Sequence, residues 1–121
     1  VDALMRHVSG GSAFIMREND IATGIMMITP ETGSIDFLAV HPLFRKRGVA
    51  RALVARAIGE MLSHSEISIT TYREGDRADT GYRGELVGLG FTGSELLVEF
   101  GYPTQKMVLS ANRFRGLRHA E

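Results

Sequence analysis

Arg45, Lys46, Arg47 and Arg51 gather around one glycine, Gly48, and no acidic residue lies between His41 and Arg56. The surrounding stretch reads as an apolar strand ending at Val40, a turn set by Pro42, a basic loop, and then an amphipathic helix. The first N–H groups of a helix have no intrahelical partners, so a strand feeding such a loop into a helix start makes a seat for phosphate. Gly48 removes a Cβ where the backbone must come close to a ligand. Ala50, also small, lets the first turn pack tightly. The three consecutive cations could instead be a solvated charge run, but their placement against Gly48 and a helix start favours the anion site.

The elements that must position this loop can be followed along the chain. Val49, Ala50, Leu53, Val54, Ala57, Ile58, Met61 and Leu62 form apolar pairs recurring every four residues, which predicts a helix from Gly48 to His64 lying on a sheet. Upstream, Ala13 to Arg17 and Ala22 to Thr29 read as antiparallel strands joined around Glu18-Asn19-Asp20, with Met16, Met26 and Met27 as core fill. Turn residues 29–33 lead into a strand from Ser34 to Val40. Downstream follow a strand from Glu66 to Tyr72, a loop from Arg73 to Asp79 and a short helix from Thr80 to Leu89. Two last strands, Leu96 to Phe100 and Lys106 to Leu109, flank a Gly101-Tyr102-Pro103 turn. The order βββαβαββ implies an α/β (α+β) fold with helices on the faces of a mixed sheet.

Arg45-Lys46-Arg47-Gly48-Val49-Ala50 resembles the pyrophosphate-binding motif of the GNAT superfamily of N-acetyltransferases, Arg/Gln-x-x-Gly-x-Gly/Ala. Leu89-Gly90-Phe91 resembles the close of the superfamily's second motif, and 72–106 looks like a small bacterial subgroup of these proteins. The resemblance covers roughly Ser12 to Leu109. It implies a GNAT-like, mostly antiparallel sheet flanked by helices, and acetyl-CoA as cosubstrate. Backbone groups of Leu38, Ala39 and Val40 would then bond the pantetheine arm, and amides from Arg45 to Ala50 the diphosphate. Asp79 falls where the family often has an Asn touching the cofactor, with a helix N-cap as its structural alternative. The family usually opens with a strand and one or two helices. Here Val1 to Gly11 leaves room for only a short helix, Ala3 to Val8, so the expectation is a fold lacking those N-terminal elements, with 1–11 a remnant and 110–121 a basic tail of one domain spanning 1–121.

Acetyl transfer to an amine needs a neutral amine, a polarised carbonyl and a proton for the leaving thiolate. Asp36, on the cofactor strand, matches a position where the family often carries an acid, and it is the candidate base. Its structural alternative is an exposed or loop-capping Asp. Ser34 shares its face and could relay a proton through water. The family's usual acid is a Tyr four residues before the Gly of Gly90-Phe91, but that position is Leu86, which cannot donate. Tyr82, one turn upstream, is the substitute, and a half-buried structural Tyr is the alternative. Tyr102, in a turn, reads as structural.

The chain has 121 residues, 44% of them hydrophobic, with 14 basic and 14 acidic residues and no cysteine. That suits one soluble domain and excludes a disulfide framework or a thiolate nucleophile. No run of eighteen apolar residues and no secretory pattern is present, which points to the cytoplasm and away from a membrane. His7, His41, His64 and His119 are dispersed, so no metal site is expected. A balanced charge with one basic pocket disfavours nucleic acid, which also needs exposed stacking aromatics. The expected function is acetyl-CoA-dependent N-acetylation of a small-molecule or peptide amine. The alternative is a catalytically weak acyl-CoA-binding sensor or partner subunit. The late strands could pair with a second copy into a homodimer.

Overall fold

The computed structural model describes the backbone of residues 2–8 and 11–114 and the side chains of 12–114. The basic tail beyond residue 114 lies outside the described residues. Contacts divide the chain into two compact units, Val1–His64 and Ser65–Glu121.

In the first unit, β1 (Asp2–Val8), β2 (Gly11–Glu18), β3 (Ile21–Thr29) and β4 (Ser34–Val40) form an antiparallel meander in that order. The segment expected as a short helix, Ala3 to Val8, is therefore a strand, paired from Asp2↔Arg17 to Val8↔Gly11. Four strands, not three, precede the main helix. Backbone pairing with a neighbouring strand overrides a helical pattern too short to nucleate alone. Between β2 and β3 the loop is only Asn19-Asp20, with Asn19 at φ 57°, a left-handed conformation Asn tolerates.

A 3-10 turn, Pro42–Phe44, joins β4 to α1 (Val49–Glu60). Val49, Ala50, Leu53, Val54, Ala57 and Ile58 face the interior, as their spacing predicts. Leu62 does not. The helix ends at Glu60, Met61 turns to φ −123°, and Leu62 leaves the apolar stripe to stand 73% exposed. α1 lies on β3, β4 and β2. A Cβ on Gly24 would sit 2.6 Å from Val49 Cγ1 and 3.0 Å from Leu53 Cδ1, so the helix rests directly on the β3 backbone there. Met26 and Ile28 share that covered face and are buried. Met27 points the other way and is half-exposed, not core fill.

Two bulges interrupt the meander. Thr23 is the extra residue of β3 against β2, and Asp36 the extra residue of β4 against β3, because Met27 pairs Phe37 while Ile28 pairs Ile35. At the far end of α1, His64 Nε2 lies 2.7 Å from the Pro30 carbonyl. Its ring fills the space a Cβ on Gly33 would need, at 2.8 Å.

The second unit holds β5 (Glu66–Tyr72), α2 (Tyr82–Gly88), β6 (Thr92–Glu99) and β7 (Tyr102–Ser110), with strands ordered β5-β7-β6 and antiparallel. β6 and β7 turn through Phe100-Gly101, both at positive φ (53° and 79°), a two-residue hairpin matched to strand twist. Tyr102 is thus the first residue of β7 rather than part of the turn. Ile67, Ile69, Leu86, Leu89, Phe91, Met107 and Leu109 make the core of this unit. Phe91 N–H donates to the Leu86 carbonyl at 3.1 Å, closing α2 where Leu89-Gly90-Phe91 predicts.

Candidate active site

The basic elbow is built from local contacts. His41 Nδ1 accepts the Leu43 N–H at 3.1 Å, capping the 3-10 turn that Pro42 starts. Its ring meets Phe44 edge-on at 5.3 Å, and the Arg47 guanidinium lies 5.2 Å over the other ring. This stack leads the chain through Lys46, at φ 64°, to Gly48, at φ 82°. Gly48 is the N-cap of α1 and makes no side-chain cap bond. Among the described residues, the amides of Gly48, Val49 and Ala50 have no protein acceptor in hydrogen-bonding geometry. A Cβ at Gly48 would meet nothing within 4 Å. The glycine is required by its left-handed backbone, and the space in front of it is open.

Charge at this helix start runs against the usual preference. Acids stabilise a helix N-terminus and cations there are opposed by its partial positive charge, at about 0.3–1 kcal/mol each. Here the first turn has no acid, and Arg45, Lys46 and Arg47 are exposed beside it. That arrangement is unfavourable until an anion arrives. Open amides, an open approach and uncompensated cations together fit a diphosphate. Leu38, Ala39 and Val40 lead into the elbow, paired with Met26, Ile25 and Gly24.

Asp36 stands on the bulge. Ser34 Oγ donates to its Oδ1 at 3.0 Å, and Thr29 Oγ1 donates to its Oδ2. Thr32 and Ser34 hydroxyls are 2.7 Å apart and extend this network. Asp36 is exposed, with Ser34 beside it as the shared face predicts.

In the second unit, Asp79 Oδ1 accepts the amides of Gly81 (3.1 Å) and Arg83 (3.2 Å), so this carboxylate caps α2. Tyr82 opens that helix and is half-buried. Burial, then the negative charge of Glu85, then Tyr72 push its phenol pKa well above the ordinary 10.0. Leu86 is 1% exposed and packs as core. Tyr102 O–H reaches both Asp76 oxygens at 2.8 and 2.7 Å, and that bond raises its pKa, followed by burial and the Asp76 charge. Arg73 donates to the carbonyls of Thr104 and Leu97 at 3.0 and 2.9 Å, tying the 73–79 loop to the β6–β7 hairpin. Among the described residues, no group of three or more His, Asp or Glu is placed to hold a metal ion. No helix there is long and apolar enough to cross a membrane.

Sequence reasoning missed Gly24, which lets α1 approach, and the His41–Phe44–Arg47 stack. A signal for the first exists: a glycine inside an otherwise apolar strand marks close approach of another element. For the second there is none, since ring geometry depends on the path of the turn.

The first unit is thus a β-meander whose fourth strand leads through a basic elbow into an amphipathic helix. The acetyltransferase (GNAT) family profile matches residues 3–83. The chain belongs to that family. No curated protein matches the sequence. Among solved structures, a GNAT-family acetyltransferase from Desulfovibrio desulfuricans is 24% identical over 86% of this chain and 71% of that one, with a TM-score of 0.69. A spermidine/spermine N-acetyltransferase from Vibrio cholerae is 20% identical over 95% and 72%, TM-score 0.64. A Bacillus subtilis acetyltransferase in complex with CoA is 19% identical over 85% and 78%, TM-score 0.64. At these identities the likeness establishes the fold, a mixed α/β GNAT fold.

Proposed function

We propose that this chain is a cytoplasmic acetyl-CoA-dependent N-acetyltransferase, acting as one domain on a small-molecule or peptide amine. The observation that carries the reading is the uncapped, acid-free start of α1, with open amides at Gly48, Val49 and Ala50 beside three exposed cations. These groups would hold the diphosphate, and backbone groups of Leu38, Ala39 and Val40 the pantetheine arm. The Bacillus subtilis relative solved with CoA supports this choice of ligand.

Transfer is direct: the amine nitrogen forms a bond to the acetyl carbon as the carbon–sulfur bond breaks. Without cysteine there is no thiol to carry an acyl-enzyme. Asp36, itself or through Ser34 and water, takes the proton the amine must lose. Tyr82 is assigned to the leaving sulfur. Its phenol is protonated at neutral pH and would serve as the donor to the developing thiolate. Holding two reactants in line can supply roughly 7–11 kcal/mol of the barrier, so these side chains modulate a rate that positioning mostly provides. Asp79, whose Oδ1 caps α2, is carried along as a proposed cofactor contact by family resemblance alone.

The second reading, a catalytically weak acyl-CoA sensor or partner subunit, is favoured by Leu86, which puts core hydrocarbon where the family usually has its acid. Calorimetric titration of acetyl-CoA followed by thiol release with an amine panel separates the two. Binding with release is expected; binding without release selects the sensor. Gly48→Glu should abolish acetyl-CoA affinity by setting a carboxylate against the diphosphate. Undiminished affinity in that variant would remove the elbow from the site.

A further inference from the structure

The β4 bulge does more than expose Asp36. In a regular strand Asp36 and Phe37 would face opposite sides, yet the flanking Ile35 and Leu38 are both buried, and Asp36 and Phe37 are both exposed. Gly24, Met26 and Ile28 point toward α1, so their neighbours on β3 point away from it. The pairings Met27↔Phe37 and Ile25↔Ala39 put those four residues on the uncovered face. Thr29 and Ser34, paired with each other and both bonded to Asp36, share it. The result is a strip with a carboxylate and hydroxyl head at one end. Beyond it run Phe37 (49% exposed), Met27 (40%) and Ile25 (38%).

Exposed apolar side chains contiguous with one carboxylate suit a ligand of the same polarity. At about 3.3 Å per strand residue, Phe37 to Ala39 offers roughly 7 Å of apolar length beside the head. A polyamine would place its further ammonium groups on Met27 and Ile25, side chains that carry no charge of their own. We propose that the acceptor is a primary amine carried on an apolar or aromatic body, with its nitrogen at Asp36 and its body on Phe37, Met27 and Ile25. This rests on the transferase reading and narrows it to arylalkylamines and similar amphiphilic amines.

The test compares 2-phenylethylamine with spermidine as acceptors at saturating acetyl-CoA, following thiol release, with calorimetry of 2-phenylethylamine alone in parallel. Phenylethylamine should be preferred about 10-fold or more in kcat/KM, and Phe37→Ser should remove that preference through KM by a similar factor. Phe37→Leu, which keeps an apolar side chain, should restore most of it. Preference for spermidine, or an unchanged KM in Phe37→Ser, would overturn the acceptor assignment while leaving the transferase intact. Failure to bind acetyl-CoA would sink the transferase reading instead. The strip would then stand or fall on whether calorimetry detects phenylethylamine binding that Phe37→Ser abolishes.

Discussion

Gly24→Ala should damage the proposed cofactor site from beneath. Its new Cβ would lie 2.6 Å from Val49 Cγ1, 3.0 Å from Leu53 Cδ1 and 3.3 Å from the Ala39 carbonyl. Carbon–carbon contacts are most favourable near 3.5–4.0 Å, so the first turn of α1 must lift by about 1 Å or Val49 must leave its rotamer. Overpacking of this kind costs about 1–3 kcal/mol. For a domain of this size that corresponds to a fall in Tm of about 4–12 °C. The same lift displaces the open amides of Val49 and Ala50, so acetyl-CoA affinity should drop by about 10-fold (about 1.4 kcal/mol). Thermal melting and calorimetry on the same preparation read the two effects. Adding Val49→Ala removes the nearest clashing carbon and should recover part of the lost affinity, a non-additive result in a double-mutant cycle. Wild-type melting and affinity in Gly24→Ala would refute the claim that α1 rests on the β3 backbone at this point. Strictly additive effects would refute the role of Val49.

Gly59→Ala should act in the opposite direction: it lies in α1 with open space around it and raises Tm through about 0.5–1 kcal/mol of helix propensity. Asp36→Asn should lower kcat/KM by about 10²-fold near neutrality and steepen its dependence on pH, because only amine already deprotonated in solution can then react; an unchanged pH–rate profile would remove Asp36 from the mechanism. Tyr82→Phe should change the alkaline stability curve. The folded-state pKa of Tyr82 lies above its unfolded value near 10.0, so its contribution is intact below pH 10 and is lost as pH rises beyond it. Denaturant melts should therefore show the wild type losing stability above pH 10 more steeply than the variant.

Much of the fold could be read from local pattern because the relevant signals are local. Alternation and turn residues place β4 at Ser34–Val40 and β5 at Glu66–Tyr72, the boundaries observed. The helical repeat from Val49 to Ile58 and the close of α2 at Leu89-Gly90-Phe91 follow from side-chain period and glycine backbone freedom. The elbow was legible for the same reason: its cations, its left-handed Gly48 and its helix start lie within a few consecutive residues. What the chain alone could not disclose depends on partners distant in sequence. Ala3 to Val8 is a strand because β2 is there to pair with it, and no pattern within those six residues states that. Met27, Phe37 and Asp36 share the uncovered face because one extra residue in β4 shifts its alternation against β3. A bulge is a property of two strands, so only their pairing decided which side chains stand beside the carboxylate. Gly24 belongs to the same class: its need for a missing Cβ arises from a helix that begins twenty-five residues later.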